Sequence, residues 1–93
     1  MKVKVKFFAS FRDKTGEAAV ELEAETLEDL IDMLTKEYEG LQNTLLNHAN
    51  SGLEIKSGVT VMLNGRNVRF LDGLDTELSN EDTVAIFPPV GGG

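Results

Sequence analysis

Residues 86–93, IFPPVGGG, carry the group with the clearest reactive potential in this sequence, and it is a main-chain carboxylate. Gly91, Gly92 and Gly93 lack Cβ atoms, so such a segment can thread a narrow channel and let another protein's backbone approach closely. Pro88 and Pro89 fix φ and favour an extended polyproline conformation, which would hold Val90 and the glycines off the domain. At an average glycine usage of about 7 %, three terminal glycines arise in about one sequence in three thousand, which makes a functional reading worth weighing against filler. The chemistry on offer is acyl transfer at Gly93. A free carboxylate is a poor acyl donor, so another enzyme would have to activate it, for instance as a mixed anhydride. The plainer alternative is an inert, disordered terminus.

Little else in the 93 residues could react. There is no cysteine, hence no disulfide, thiolate ligand, thiol nucleophile or side-chain persulfide. His48 is the single histidine and sits among Asn and Ser, so it reads as a solvated loop residue and not as a metal ligand. Glu21, Glu23, Glu25, Glu28 and Asp29 read as a solvated strand edge and helix start, not as a buried acid–base pair. No Ser or Lys nucleophile is paired with a base, and the glycines open no helix, as a phosphate loop would. An autonomous enzyme is therefore not expected, nor a bound metal. The formal charge of −7, from 16 acidic and 9 basic residues, opposes nucleic acid and would suit a basic protein surface. No apolar run approaches membrane-spanning length, so a cytoplasmic protein with no membrane contact is expected.

The elements that must position the terminus read as one domain, residues 1–90, with a flexible tail at 91–93. In KVKVKF, Val3, Val5 and Phe7 alternate with Lys2, Lys4 and Lys6, which predicts a half-buried strand. Phe8 falls on the lysine face, either as an incidental exposed aromatic or one covered by the next strand, or else as a partner contact. RDKTG reads as a turn closed by Gly16, and EAAVELEAE as a second strand through Ala18, Val20 and Leu22. Thr26 and Asp29 suggest a capped helix, with Leu27, Leu30, Ile31, Leu34 and Tyr38 as its apolar stripe and Gly40 as its stop. Leu41, Leu45 and Leu46 suggest a short helical turn, and the rest of 41–58 reads as exposed loop. Val59, Val61 and Leu63 lead into Asn64-Gly65, the favoured type I′ pair, with a return strand expected through Val68 and Phe70. Leu74 and Leu78 are expected anchors, and TVAIF is the last strand, ended by Pro88. The order β-β-α-β-β-β predicts an α+β fold, a mixed sheet of about five strands around one main helix. If the first and last strands pair in parallel at its centre, one face is left open.

VKFFASFRDKTG, VMLNGR and LSNEDTVAIFPPVGGG resemble the small, sulfur-carrier subunit of molybdopterin synthase. That family is grouped with the thiamine sulfur carrier, the ubiquitin-related modifier and the small archaeal modifier proteins. The resemblance implies a ubiquitin-like β-grasp. It also implies that Gly93 is adenylated by a ubiquitin-activating-type enzyme, which uses ATP and Mg²⁺ while this chain binds no cofactor, and is then converted to a thiocarboxylate. The large subunit of molybdopterin synthase would hold the tail while sulfur passes to a pterin precursor. Gly92 and Gly93 match the terminal pair of the family, Gly91 a variable position, and Pro88, Pro89 and Val90 the exit segment. Phe8, Arg12 and Phe87 match positions on the open sheet face that contacts the activating enzyme and the large subunit. Asn80-Glu81-Asp82 stands where the family has Asp-Gly-Asp; if the turn needs a positive φ, Asn80 is expected to supply it. The stretches 41–58 and RFLDGLD are long for a minimal bacterial carrier of this kind. Two other readings stay open: a ubiquitin-like modifier joined through Gly93 to lysines of target proteins, and a noncovalent module with an inert tail.

Overall fold

Strict alternation builds β1 (Lys2–Phe7), with Val3, Val5 and Phe7 buried and the three lysines exposed. The computed structural model describes residues 1–38, 41–49, 52–56 and 58–88. β2 (Ala19–Glu23) returns antiparallel to β1, setting Val20 opposite Val5 and Leu22 opposite Val3. On the other side β7 (Thr83–Phe87) runs parallel to β1, with Val84 beside Val5 and Ile86 beside Phe7. β5 (Thr60–Leu63) is antiparallel to β7, and the two-residue β6 (Arg66–Asn67) closes that edge, giving the order β2-β1-β7-β5-β6. The first and last strands are therefore parallel neighbours inside a five-stranded mixed sheet, as expected for a β-grasp.

Helix α2 (Leu27–Glu37) packs across one face and buries Leu27, Leu30, Ile31 and Leu34 in the core with Val5, Phe7, Val84 and Ile86. Thr26 caps it, its hydroxyl accepting from the Asp29 N–H at 3.2 Å. The helix gives way at Tyr38, whose ring meets Phe7 edge-on at 6.0 Å; the expected stop at Gly40 lies outside the described residues. Among the described residues no helix is long and apolar enough to cross a membrane.

Four expectations need correction. RDKTG is not a bare turn: Ser10–Thr15 form a short helix, α1, because Phe11 is drawn fully into the core, and Gly16 closes it at φ 73°. The stretch after α2 is not mostly loop. Helix α3 (Leu41–Leu45) leads into a separate hairpin of β3 (Leu46–Ala49) and β4 (Gly52–Ile55), in which Leu46 faces Ile55. The return strand after Asn64-Gly65 stops at Asn67, and Val68–Phe70 wind into a 3₁₀ turn. There the Asn67 side chain accepts from the Arg69 N–H at 2.9 Å, so Val68 is buried but Phe70 is 87 % exposed. Finally, the positive φ of the turn before β7 belongs to Glu81, at 71°, and not to Asn80. Asn80 is occupied otherwise: its Oδ1 accepts from the Lys2 N–H at 3.1 Å.

Candidate functional site

The candidate site is the open sheet face where β7 ends. Ile86 is fully buried and fixes the strand from below, while Phe87 and Pro88 follow it half-buried. Because β1 and β7 are parallel, their C-terminal ends lie together, and the residue after Phe7 faces the residue after Ile86. Phe8 and Phe87 accordingly stack, with ring centroids 4.4 Å apart and planes 14° from parallel. The Phe8 N–H donates to the Ile86 carbonyl at 3.3 Å and extends the ladder to this point. The stack resolves the two readings of Phe8 in part, since its ring is covered by its neighbour on the next strand.

Ala9 turns the chain out of the sheet. It lies at φ 51°, ψ −126°, a conformation that costs a residue with a Cβ about 1–3 kcal/mol. The reversal lets Phe8 remain on the open face while Phe11, one turn later, enters the core. Arg12 stands exposed on α1, and among the described residues no cation–π contact joins it to either ring. The structure thus unites two of the three expected interface residues. The third is on the adjoining helix. Pro88 is at the strand exit, whereas Pro89, Val90, Gly91, Gly92 and Gly93 lie outside the described residues.

Two further residues belong to this face, and only their alternation marks them in the sequence. Met62 and Ala85 are paired across β5 and β7, both half-buried, and both alternate with core positions on the strands that carry them. With Phe8 and Phe87 they make an apolar field. Lys6, exposed and in register with Ala19 and Ala85, borders it. Farther from the exit, Lys4 faces Glu21 and Lys2 faces Glu23, pairing opposite charges across the strands. Lys6 is therefore the lysine of β1 nearest the exit, and it has no acid opposite it on β2.

A network at the other end fixes how β7 enters the sheet. Asn64, at φ 51° in the turn, donates its Nδ2 to Asp82 Oδ1 at 2.8 Å and accepts from the Thr83 N–H at 2.8 Å. Asp82 Oδ2 takes the Ser79 N–H at 2.7 Å, and the Glu81 N–H donates to the Lys2 carbonyl at 2.8 Å. No signal of spacing joins Asn64 to Asp82; only the fold does. Among the described residues no group of three or more His, Cys, Asp or Glu could hold a metal ion, and His48 falls in β3.

Comparison with known proteins places this geometry among carriers and modifiers. The ThiS family description matches residues 5–93. The chain is 38 % identical to small archaeal modifier protein 3 of Haloferax volcanii over 96 residues, covering all of both. It is 32 % identical to the sulfur carrier protein CysO of Mycobacterium tuberculosis over 78 residues, 84 % of this chain and 83 % of that one. Among solved structures, small archaeal modifier protein 1 of Methanosarcina acetivorans superposes with a TM-score of 0.89 at 34 % identity, over 99 % of this chain and 96 % of that one. The BexX/CysO complex of Amycolatopsis orientalis gives 0.84 at 30 %, over 98 % and 99 %. A Pyrococcus furiosus chain described as a candidate molybdopterin converting factor, subunit 1, gives 0.74 at 33 %, over 96 % and 98 %.

Proposed function

The chain belongs to the ThiS family, whose members are non-catalytic sulfur carriers and modifiers without a bound cofactor, and from that premise we propose that Gly93 is its working group. One carboxylate oxygen attacks the α-phosphorus of ATP on a ubiquitin-activating-type enzyme, pyrophosphate leaves with Mg²⁺, and an acyl adenylate forms. A sulfide equivalent then attacks the acyl carbon and displaces AMP, leaving a thiocarboxylate. Its sulfur passes to a pterin precursor, with this chain as the small subunit of molybdopterin synthase. The observation that carries the reading is the family match itself, which runs from the first strand to Gly93. The absence of cysteine from the sequence agrees with it, since the cargo needs no thiol of this chain. The Phe8–Phe87 stack, with Met62, Ala85 and Lys6 on the same face and Arg12 on the adjoining helix, supplies the docking face for both partner enzymes. The likeness to the Pyrococcus furiosus chain supports the molybdopterin assignment.

A second reading has its own support. Relatives on both the sequence and the structural side bear the name small archaeal modifier protein, which favours transfer of the same activated Gly93 to lysines of target proteins. The sulfur donor and the modifier part company at one experiment. Intact-mass measurement on protein from its host should reveal an oxygen-to-sulfur exchange at the terminus, and expression should restore molybdenum-cofactor synthesis in a strain lacking its own carrier. Denaturation-resistant adducts in place of both would favour the modifier. Full activity after deletion of Gly92 and Gly93 would overturn both covalent readings.

A further inference from the structure

On the side of the molecule built from α2, the β3–β4 hairpin and the loop before β7, a groove of about 250 Å³ is floored by Ile31, Leu46 and Leu74. Its rim is acidic: Glu28, Asp29 and Asp32 all line it. Asp32 is paired with Lys36 at 3.0 Å, while Glu28 and Asp29 carry no ion pair among the described residues. Dry apolar cavities of about 150 Å³ take up a benzene ring, so this groove is large enough for one aromatic side chain. Its chemistry asks for an apolar side chain flanked by positive charge.

The same chain presents such a group. Phe70 is 87 % exposed, against 37 % for the neighbouring Leu71. It stands on a turn held firmly by its own hydrogen bonds. Arg69 Nη2 donates to the Lys56 carbonyl at 3.0 Å and the Val59 carbonyl at 3.2 Å, and the Leu71 N–H donates to the Val68 carbonyl at 2.9 Å. Exposed large apolar side chains on rigid supports are what interaction anchors look like, because little entropy is lost when they bind. Arg66 and Arg69 flank Phe70 on its N-terminal side, and Asp72 and Asp75 follow it. Arg66, exposed in β6 just ahead of the turn, offers a positive charge that suits an acidic rim.

We infer that Phe70 of one copy of this chain enters the groove between Glu28, Asp32, Leu46 and Leu74 of a second copy. The apolar ring meets the apolar floor, and Arg66 meets Glu28 and Asp29. Leu74 follows Phe70 closely in the chain, so knob and groove adjoin and a two-fold pair satisfies both at once. A single side chain in a groove buries far less than the roughly 1,200 Å² of a stable interface, and the net charge of −7 opposes association. The pairing is accordingly transient and shows at high protein concentration. It does not use Phe8 or Phe87, and it does not rest on the fate of Gly93.

The test is a dilution series of the whole chain from millimolar to low micromolar, followed by amide NMR spectra and sedimentation velocity. Concentration-dependent shifts should concentrate at 69–71 and at Glu28, Asp32, Leu46 and Leu74, with a sedimentation coefficient that rises with concentration. Phe70→Ser should abolish both, as should Glu28→Lys combined with Asp32→Lys. An equimolar mixture of those two variants should regain association, because the intact knob of one meets the intact groove of the other. A wild-type chain that stays monomeric at millimolar concentration overturns the inference, as does association that survives Phe70→Ser or maps to Phe8 and Phe87. Should the double variant fail to fold, the exposed Phe70→Ser substitution decides alone.

Discussion

A double-mutant cycle on Phe8 and Phe87 tests the site at its root. The rings stack with centroids 4.4 Å apart and an interplanar angle of 14°. Such pairs contribute about 0.5–1.5 kcal/mol beyond the area they bury, and two half-exposed rings belong at the lower end of that range. Full burial of a Phe side chain contributes about 1.5–3 kcal/mol, so truncating a half-buried one to Ala should cost about 1–2 kcal/mol. The double variant should then cost less than the sum of the singles by about 0.5–1 kcal/mol. Urea unfolding followed by circular dichroism gives the four stabilities, provided the m-value is unchanged. A chain of this size shifts its Tm by about 4–8 °C per kcal/mol, which makes the singles easy to resolve. Small domains hold about 5–15 kcal/mol in reserve, so each variant remains folded enough at 25 °C for an activation assay with the adenylating enzyme. There Phe8→Ala should lower kcat/KM for adenylation of Gly93 by more than its unfolded fraction explains. Additivity within about 0.3 kcal/mol would show that the rings do not meet in solution. Unchanged adenylation in both single variants would remove this face from partner docking even if the stack is real.

The turn before β7 offers a stabilising change. Glu81 sits at φ 71°, where a side chain costs about 1–2 kcal/mol, so Glu81→Gly should gain about 0.5–1 kcal/mol after the added unfolded-state entropy; an unchanged or lower Tm would refute it. The Tyr38 phenol is held above its ordinary pKa of 10.0, first by burial and then by the carboxylates of Glu17 and Glu37. Above that pH the unfolded chain releases this proton while the folded chain retains it, so the stability it contributes is lost as pH rises past 10.0. Tyr38→Phe should therefore show a shallower alkaline loss of stability than wild type in parallel urea melts, and identical slopes would contradict the placement of Tyr38.

Elements with one strong period are legible in the amino-acid sequence alone. Val3, Val5 and Phe7, the α2 stripe and the Asn64-Gly65 turn each rest on local chemistry that the fold has no reason to override. The departures have a common cause in tertiary bonding. Phe11, just ahead of RDKTG, belongs to no periodic pattern until the core takes it, and Val68–Arg69–Phe70 alternates like a strand. The Arg69 guanidinium then finds the Lys56 and Val59 carbonyls, and the chain winds up. The β3–β4 hairpin does leave a signal, the alternation of Leu53 and Ile55, but Asn and Ser around it mask the pattern. At Glu81 the usual preference of Asn for positive φ is the wrong guide, because the Asn80 side chain is engaged by the Lys2 N–H and must stay where it is. Phe8 marks the sheet face by falling among the lysines, whereas Phe87 is placed on it only through the family resemblance. The Asn64–Asp82 bond is not legible, since its partners lie 18 positions apart in the chain.

On the proposed function, the position of β7 would tie recognition to chemistry. It is hydrogen-bonded on both sides, to β1 and to β5, so a partner that pulls on the terminus loads two ladders at once and does not peel an edge strand. Phe87 is simultaneously the last residue of that strand and half of the Phe8–Phe87 stack. Whatever grips the stack has therefore located the strand end. From Pro88 to Gly93 are about five residues, and a fully extended chain spans at most about 3.6 Å per residue, or about 18 Å in all. If Gly93 is the working terminus, as proposed, an enzyme docked on Phe8 and Phe87 would hold its reactive centre within about 18 Å of Pro88. A fold that rooted the same terminus in an edge strand would lose that fixed origin, because a frayed strand end would itself shift the point from which the segment reaches. Rooting it between β1 and β5 fixes the origin of the reach. The length of the segment sets its limit.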